Sequence, residues 1–317
     1  MTKSTRGAIR GAETPLWCDT EEMTSSPPDF RIPLRDGITL RAVEWSKDPS
    51  TGGIPIILIH GLASNARLWD GAARALAEFG HGVIAVDLRG HGHSDKPDHG
   101  YTVEDVADDV ADVIEHHAAQ NKSWSTPLVI GQSWGGNIVV ELAHRHGDKV
   151  RGVVAVDGGT IELGASFAHW NDCAEVMSPP PLAGIPAERL RSYIRAAHPD
   201  WSDEAIDGQM HNMEHFPDGT IRPWLSLDRH LKILHGLWQH WPSKLWKDIN
   251  VPVMFTPAAK NDDDFTQRKR EQVNTAVNEL ARGRAEWFVP ADHDLHAQFP
   301  DRFASTVHDA ITTGFFS

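Results

Sequence analysis

The chain has 317 residues, with 30 Lys and Arg against 44 Asp and Glu, a net charge of −14, and only two cysteines, Cys18 and Cys173. That balance argues against nucleic acid or an anionic membrane as a partner, because both recruit basic patches. Two cysteines are too few for a disulfide framework. The length suits one α/β domain carrying an insertion. Residues 1–28 lack the apolar core of a secretory signal, and no apolar run nears the length that spans a bilayer, so a cytoplasmic enzyme is expected.

In chain order, residues 1–28 read as an N-terminal extension, poorly ordered given their Thr, Ser, Pro and Glu content. Phe30 to Trp45 reads as an opening hairpin with Asp36-Gly37 at its turn. Apolar runs predict strands near 55–59, 83–87, 128–132, 152–156, 252–256 and 285–289. Helices are predicted near 66–79, 102–118, 134–146, 266–281 and 300–314. This alternation builds a mostly parallel sheet with helices on both faces. Residues 160–247 break the pattern. They hold no buried-strand run, are punctuated by prolines, and contain six of the 12 tryptophans.

The chemistry-bearing motifs sit at strand ends. Gly131-Gln132-Ser133-Trp134-Gly135 follows the apolar run 127–130 and precedes a helical stretch. Strand, tight turn and helix make this a nucleophile elbow, which lifts the Ser133 hydroxyl above the sheet edge. Upstream, Ile54 to Ile59 is closed by His60-Gly61-Leu62. A backbone N–H at that strand end, with the one after the nucleophile, can form an oxyanion hole, here from Leu62 and Trp134. His60 is read as a brace for this loop, since backbone donors suffice. The strand ending at Asp87 leads into Leu88-Arg89-Gly90-His91-Gly92-His93-Ser94-Asp95, whose glycines mark a sharp turn.

His-Gly after one strand, Asp-x-Arg-Gly-x-Gly-x-Ser after the next and Gly-x-Ser-x-Gly after the third resemble the α/β-hydrolase superfamily, in order and in spacing, from about residue 30 to the C-terminus. The resemblance implies the α/β-hydrolase fold, with a core of 29–159 and 248–317 and a helical cap, or lid, over the site at 160–247. It implies a structural turn at Arg89, His91 and His93. It also implies a catalytic histidine after the last strand, where His293 stands, with His296 as its rival three residues on.

The acid has two candidate places. Asp157 ends the run 152–156, lies 24 residues after Ser133, and should reappear at the same sheet edge one strand over. A branch of the superfamily, including haloalkane dehalogenases and fungal zearalenone-lactone hydrolases, uses this place. The other is the cluster Asp262, Asp263 and Asp264 after the penultimate strand, which lacks the family's loop glycine and reads as acidic charge at a helix start. Asp157 is favoured.

The expected activity is that of a serine hydrolase acting on a carboxylic ester or lactone, zearalenone-type macrolactones included. The alternatives are a carbon–carbon hydrolase of a vinylogous diketone and a non-catalytic receptor of the same fold. Serine at 133 argues against dehalogenases and epoxide hydrolases, which use a carboxylate nucleophile. Trp170, Trp224 and Trp241, with Gly61, are expected to line an apolar pocket for a bulky, largely uncharged small-molecule substrate. No cofactor and no metal is expected: the 19 histidines are scattered, and His211 and His215 lack a third ligand. A homo-oligomer stays open.

Overall fold

A computed structural model describes residues 28–45 and 53–317. The expectation for the N-terminal extension, with Cys18, lies outside these residues apart from Pro28. Cys173 is buried and free.

The opening hairpin comprises β1 (Asp29–Pro33) and β2 (Thr39–Trp45). There follow β3 (Pro55–Ile59), α1 (Asp70–Glu78), β4 (Gly82–Asp87), α2 (Val103–Gln120), β5 (Leu128–Gln132), α3 (Trp134–Arg145) and β6 (Gly152–Val156). An insert then carries α4 (Leu163–Ser166), α5 (Trp170–Met177), α6 (Ala187–Ala197), α7 (Asp203–Met210), the short strands β7 (Met213–His215) and β8 (Ile221–Pro223), and α8 (Leu227–Gln239). The chain closes with β9 (Val253–Thr256), α9 (Asp264–Glu279), β10 (Gly283–Ala285), α10 (Leu295–Gln298) and α11 (Pro300–Thr312).

Eight strands form one sheet in the order β1-β2-β4-β3-β5-β6-β9-β10. From β4 to β10 every pairing is parallel, while β2 runs antiparallel to β1 and β4. The side chains of Ile56–Ile59, Leu128–Ile130 and Val153–Val156 are fully buried. A parallel sheet hidden on both faces requires such uninterrupted apolar runs. Apolar residues of α2, α3 and α9 cover one face and those of α1 and α11 the other. Thr102 and Asp105 form a capping box that starts α2.

Two expectations are corrected. The last strand begins at Gly283, two residues before the predicted 285–289, although its ladder continues irregularly through Phe288 N–H to the Pro257 carbonyl. Its half-buried residues Gly283, Arg284 and Ala285 pair by backbone bonds at the sheet edge, where apolarity gives no signal. The interval 160–247 also holds a small hairpin, β7–β8, turned at Asp218-Gly219 with Gly219 at φ 83°. This dipeptide is itself a hairpin signal. The insert has its own apolar cluster of Leu190, Ile194, Trp201, Ile206, Met210 and Ile221, seated on Leu68 and Ala297 of the body.

Candidate active site

All the motif residues emerge at the carboxyl edge of the parallel strands, where ligands bind in open α/β sheets. Ser133 stands between β5 and α3 at φ 55° and ψ −118°. Such a backbone is strained for a residue with a Cβ and persists only where its surroundings over-determine it. Here Ser133 N–H donates to the Val156 carbonyl at 2.8 Å, and the Ser133 carbonyl accepts from Gly136 at 2.8 Å. A Cβ on Gly135 would come within 2.6 Å of the Ile59 and His60 carbonyls, so only glycine lets α3 approach β3 this closely.

Asp157 follows β6 and also has a positive φ, 42°. Its N–H donates to the Thr256 carbonyl at 3.1 Å. Its Oδ2 accepts from His293 Nδ1 at 2.6 Å, and its Oδ1 accepts from the Ala258 N–H at 2.9 Å and from Lys269 Nζ at 2.9 Å. Burial pushes the Asp157 pKa up, but the His293 hydrogen bond and charge, with Lys269, hold it below the usual carboxylate value. For His293, desolvation pulls the imidazole down. The Asp157 hydrogen bond and the charges of Asp294 and Asp157 outweigh this, and its pKa lies above the ordinary 6.5.

With Nδ1–H given to Asp157, Nε2 is left as the acceptor of a neutral His293 ring. Half of the His293 side chain is exposed, and no hydrogen bond joins it to Ser133 among the described residues. Catalytic bonds of this kind are often loose in an unliganded site. Gln132 Nε2 donates to the His293 carbonyl at 3.4 Å, tying the elbow to the histidine loop.

The rival residues lie elsewhere. His296 is buried against Trp69, with ring centroids 4.0 Å apart, and burial drives its pKa to about 3. Asp263 caps α9 by accepting the Thr266 N–H at 2.8 Å, Asp262 accepts from Gln267, and Asp264 opens the helix. The structure gives none of the three a bond to His293, among the described residues.

The loop after β3 is held by two neutral histidines. His60 Nδ1–H donates to the Gly61 carbonyl at 2.7 Å and Nε2 accepts the Leu88 N–H at 3.0 Å. His91 Nδ1–H donates to the Arg89 carbonyl at 3.0 Å and Nε2 accepts the Ala63 N–H at 3.3 Å. Burial lowers both pKa values. The His91 ring also stacks on Trp134 at 5.6 Å. The backbone N–H groups of Leu62 and Trp134 donate to no acceptor among the described residues. Arg89 is spent on Asp109 and Asp36, and the His93 N–H on Asp87. No group of three or more metal-ligating side chains occurs among the described residues.

The three tryptophans named from the sequence each have their own neighbours. Trp170 meets the rings of His235 and Trp238, Trp224 meets His93, and Trp241 lies beside Gly164 under Lys244. Gly61 faces the Gln132 side chain and Ser133 Cβ. Two hollows, of about 730 Å³ beside Arg67, Arg74 and Arg191 and about 390 Å³ beside Tyr101 and Trp170, contain none of Ser133, Asp157 or His293. Lys269 carries no distinguishing signal in the sequence, because Arg268-Lys269-Arg270 resembles any solvated basic helix face.

Residues 54–204 match the α/β-hydrolase fold family model. The chain is 29% identical over 208 residues to 2-(acetamidomethylene)succinate hydrolase of Mesorhizobium japonicum, covering 64% of this chain and 70% of that protein. It is 30% identical over 210 residues to epoxide hydrolase A of Mycobacterium tuberculosis, covering 61% of this chain and 62%, under two thirds, of that one. Among solved structures, an E-2-(acetamidomethylene)succinate hydrolase superposes with a TM-score of 0.73 at 23% identity, covering 90% of this chain and 99% of its own. No helix among the described residues is long and apolar enough to cross a membrane. With its sheet order, elbow and strand-end motifs, the chain has the α/β-hydrolase fold.

Proposed function

We propose that the protein is a serine hydrolase that cleaves a carboxylic ester or lactone through Ser133, His293 and Asp157. The observation that carries this reading is the 2.6 Å bond from His293 Nδ1 to Asp157 Oδ2, one strand over from a serine held at φ 55°. A serine hydroxyl is a weak nucleophile without an adjacent base. His293 Nε2 takes the Ser133 proton as Oγ bonds to the acyl carbon. The carbonyl oxygen becomes an oxyanion facing the free N–H groups of Leu62 and Trp134, each donor worth roughly 3–4 kcal/mol in such sites. Collapse breaks the bond to the leaving oxygen, which receives the proton from His293. Water, deprotonated by the same ring, then cleaves the acyl-enzyme and restores Ser133. Asp157 fixes the tautomer and stabilises the imidazolium.

On the substrate side, the insert acts as a cap and favours a bulky, largely apolar molecule, macrolactones of the zearalenone type among them. Trp224, whose ring lies tilted 4.9 Å from that of His93 in the turn that carries His91, supports this.

The test is labelling with a fluorophosphonate, followed by rates on p-nitrophenyl acetate, lactones of graded ring size, a vinylogous diketone and 2-(acetamidomethylene)succinate. The adduct is expected on Ser133, and Ser133→Ala should lose turnover by several orders of magnitude with its fold intact. An adduct on another serine, or activity retained by the variant, refutes the reading. A preference for the diketone moves the reaction to carbon–carbon cleavage with the same residues.

A further inference from the structure

Asp157 has a partner that the mechanism above leaves unused. Lys269, on the second turn of α9, donates its Nζ to Asp157 Oδ1 at 2.9 Å and to the Ala258 carbonyl at 3.0 Å, and lies 5.3 Å from the Phe265 ring centroid. Its side chain is four-fifths buried and that of Asp157 is 6% exposed, so this is not the solvated pair whose worth is small. The Ala258 N–H donates to the same Oδ1. One carboxylate oxygen is therefore clamped by two donors from two elements, and the other is left to His293 alone.

The charges around the imidazole give Lys269 a second consequence. Asp157 and Asp294 both favour the protonated ring. Asp292, on the same loop, is neutralised by Lys260 at 2.5 Å and hydrogen-bonded to His198 at 3.1 Å. His296 on α10 is neutral near pH 7, since burial keeps its pKa near 3. Lys269 is thus the cation that opposes the two carboxylates at His293. A general base works best with a pKa near the operating pH, and too strong a pull toward imidazolium would remove it.

Resting on the serine-hydrolase reading, we propose that Lys269 is a positioning residue: it clamps Asp157 so that one oxygen is aimed at His293, and its charge offsets the carboxylates that favour imidazolium.

The test compares wild type with Lys269→Met, Lys269→Gln and Lys269→Arg. It uses kcat/KM for p-nitrophenyl acetate from about pH 5 to about pH 9, and NMR titration of the His293 ring nitrogens without substrate. In the Met and Gln variants the acid limb and the imidazole midpoint should both move up by about half to one pH unit. At pH 7 kcat should fall about tenfold with little change in KM. Arg should bring the midpoint most of the way back. An imidazole midpoint that does not move in a folded neutral variant overturns the proposal, as does a rate loss with an unmoved limb. Should Met and Gln both fail to fold, an Arg variant with wild-type stability but a displaced midpoint refutes the charge role, and an unchanged midpoint supports it. Failure of the wild type to label at Ser133, with the midpoint shift still present, sinks the hydrolase reading and leaves the clamp standing.

Discussion

Asp157→Asn isolates the acid's contribution. Asparagine tolerates the φ of 42° at this position, so the backbone should not be strained. Its Oδ1 can keep the Ala258 N–H and the Lys269 amine, each now 2.9 Å from the carboxylate. What changes is the group facing His293 Nδ1. The amide presents N–H where Oδ2 now accepts at 2.6 Å. Nδ1 must then act as acceptor, the ring proton moves to Nε2, and no lone pair remains for the Ser133 proton. A loss of about 10⁴ in kcat is expected, or about 5.4 kcal/mol at 1.36 kcal/mol per decade. The assay is steady-state hydrolysis of p-nitrophenyl acetate, beside far-UV circular dichroism and a thermal melt. Asp262→Asn, Asp263→Asn and Asp264→Asn serve as controls and should stay within a few-fold, because helix-start charges are worth at most about 1 kcal/mol. A folded Asp157→Asn within tenfold of wild type refutes the reasoning, and so does one control as crippled as Asp157→Asn is expected to be.

Gly135→Ala should destabilise the fold by about 1–3 kcal/mol through overpacking, despite alanine's better helix propensity, since its Cβ meets the Ile59 and His60 carbonyls at the end of β3 at 2.6 Å; an unchanged thermal midpoint counts against that contact. The acid limb of kcat/KM should fall above 6.5, because His293 must be neutral to act and its pKa is raised; a pH–rate profile with a limb below that value contradicts it. The His293–Asp157 pair stabilises the fold most between the ordinary carboxylate and imidazole values. It loses this as pH rises through the raised His293 pKa or falls through the depressed Asp157 pKa, which chemical denaturation across pH can follow.

The strand-end residues were legible because a buried parallel strand announces itself as an apolar run, and the residue after it is delivered to a fixed edge. Ser133 and Asp157 follow such runs, and the 24-residue step between them leaves room for one helix and one strand, whereas His293 lies on the loop beyond the half-buried edge strand β10. Lys269 was illegible for the opposite reason. Helix α9 is polar along most of its length, and nothing in its sequence says which of three adjacent cations turns inward. Aromatic content reports that an insert has something to bury, not which neighbours each ring meets. Each of Trp170, Trp224 and Trp241 found a histidine, glycine or lysine nearby. The edge strand β10 is defined by backbone pairing to β9 rather than by burial, so its start slipped by two residues.

The pairing of His60 and His91 has a bearing on how this protein meets acid. Each ring needs a bare nitrogen to accept a backbone N–H, from Leu88 and Ala63, so protonating either one replaces an attraction with two opposed hydrogens in a closed space. Their folded pKa values are lowered, so the stability tied to the neutral rings is complete above about 6.5 and drains away as pH drops toward the folded values. The rings stand 4.7 Å apart, and the first proton taken up makes the second harder to accept. Acid therefore threatens the cradle for the oxyanion along with the proton relay, and it does so by loosening a loop rather than by silencing a base. Activity recovered after a brief acid exposure would track how fast Gly61 to Ser64 refolds onto the turn at Arg89.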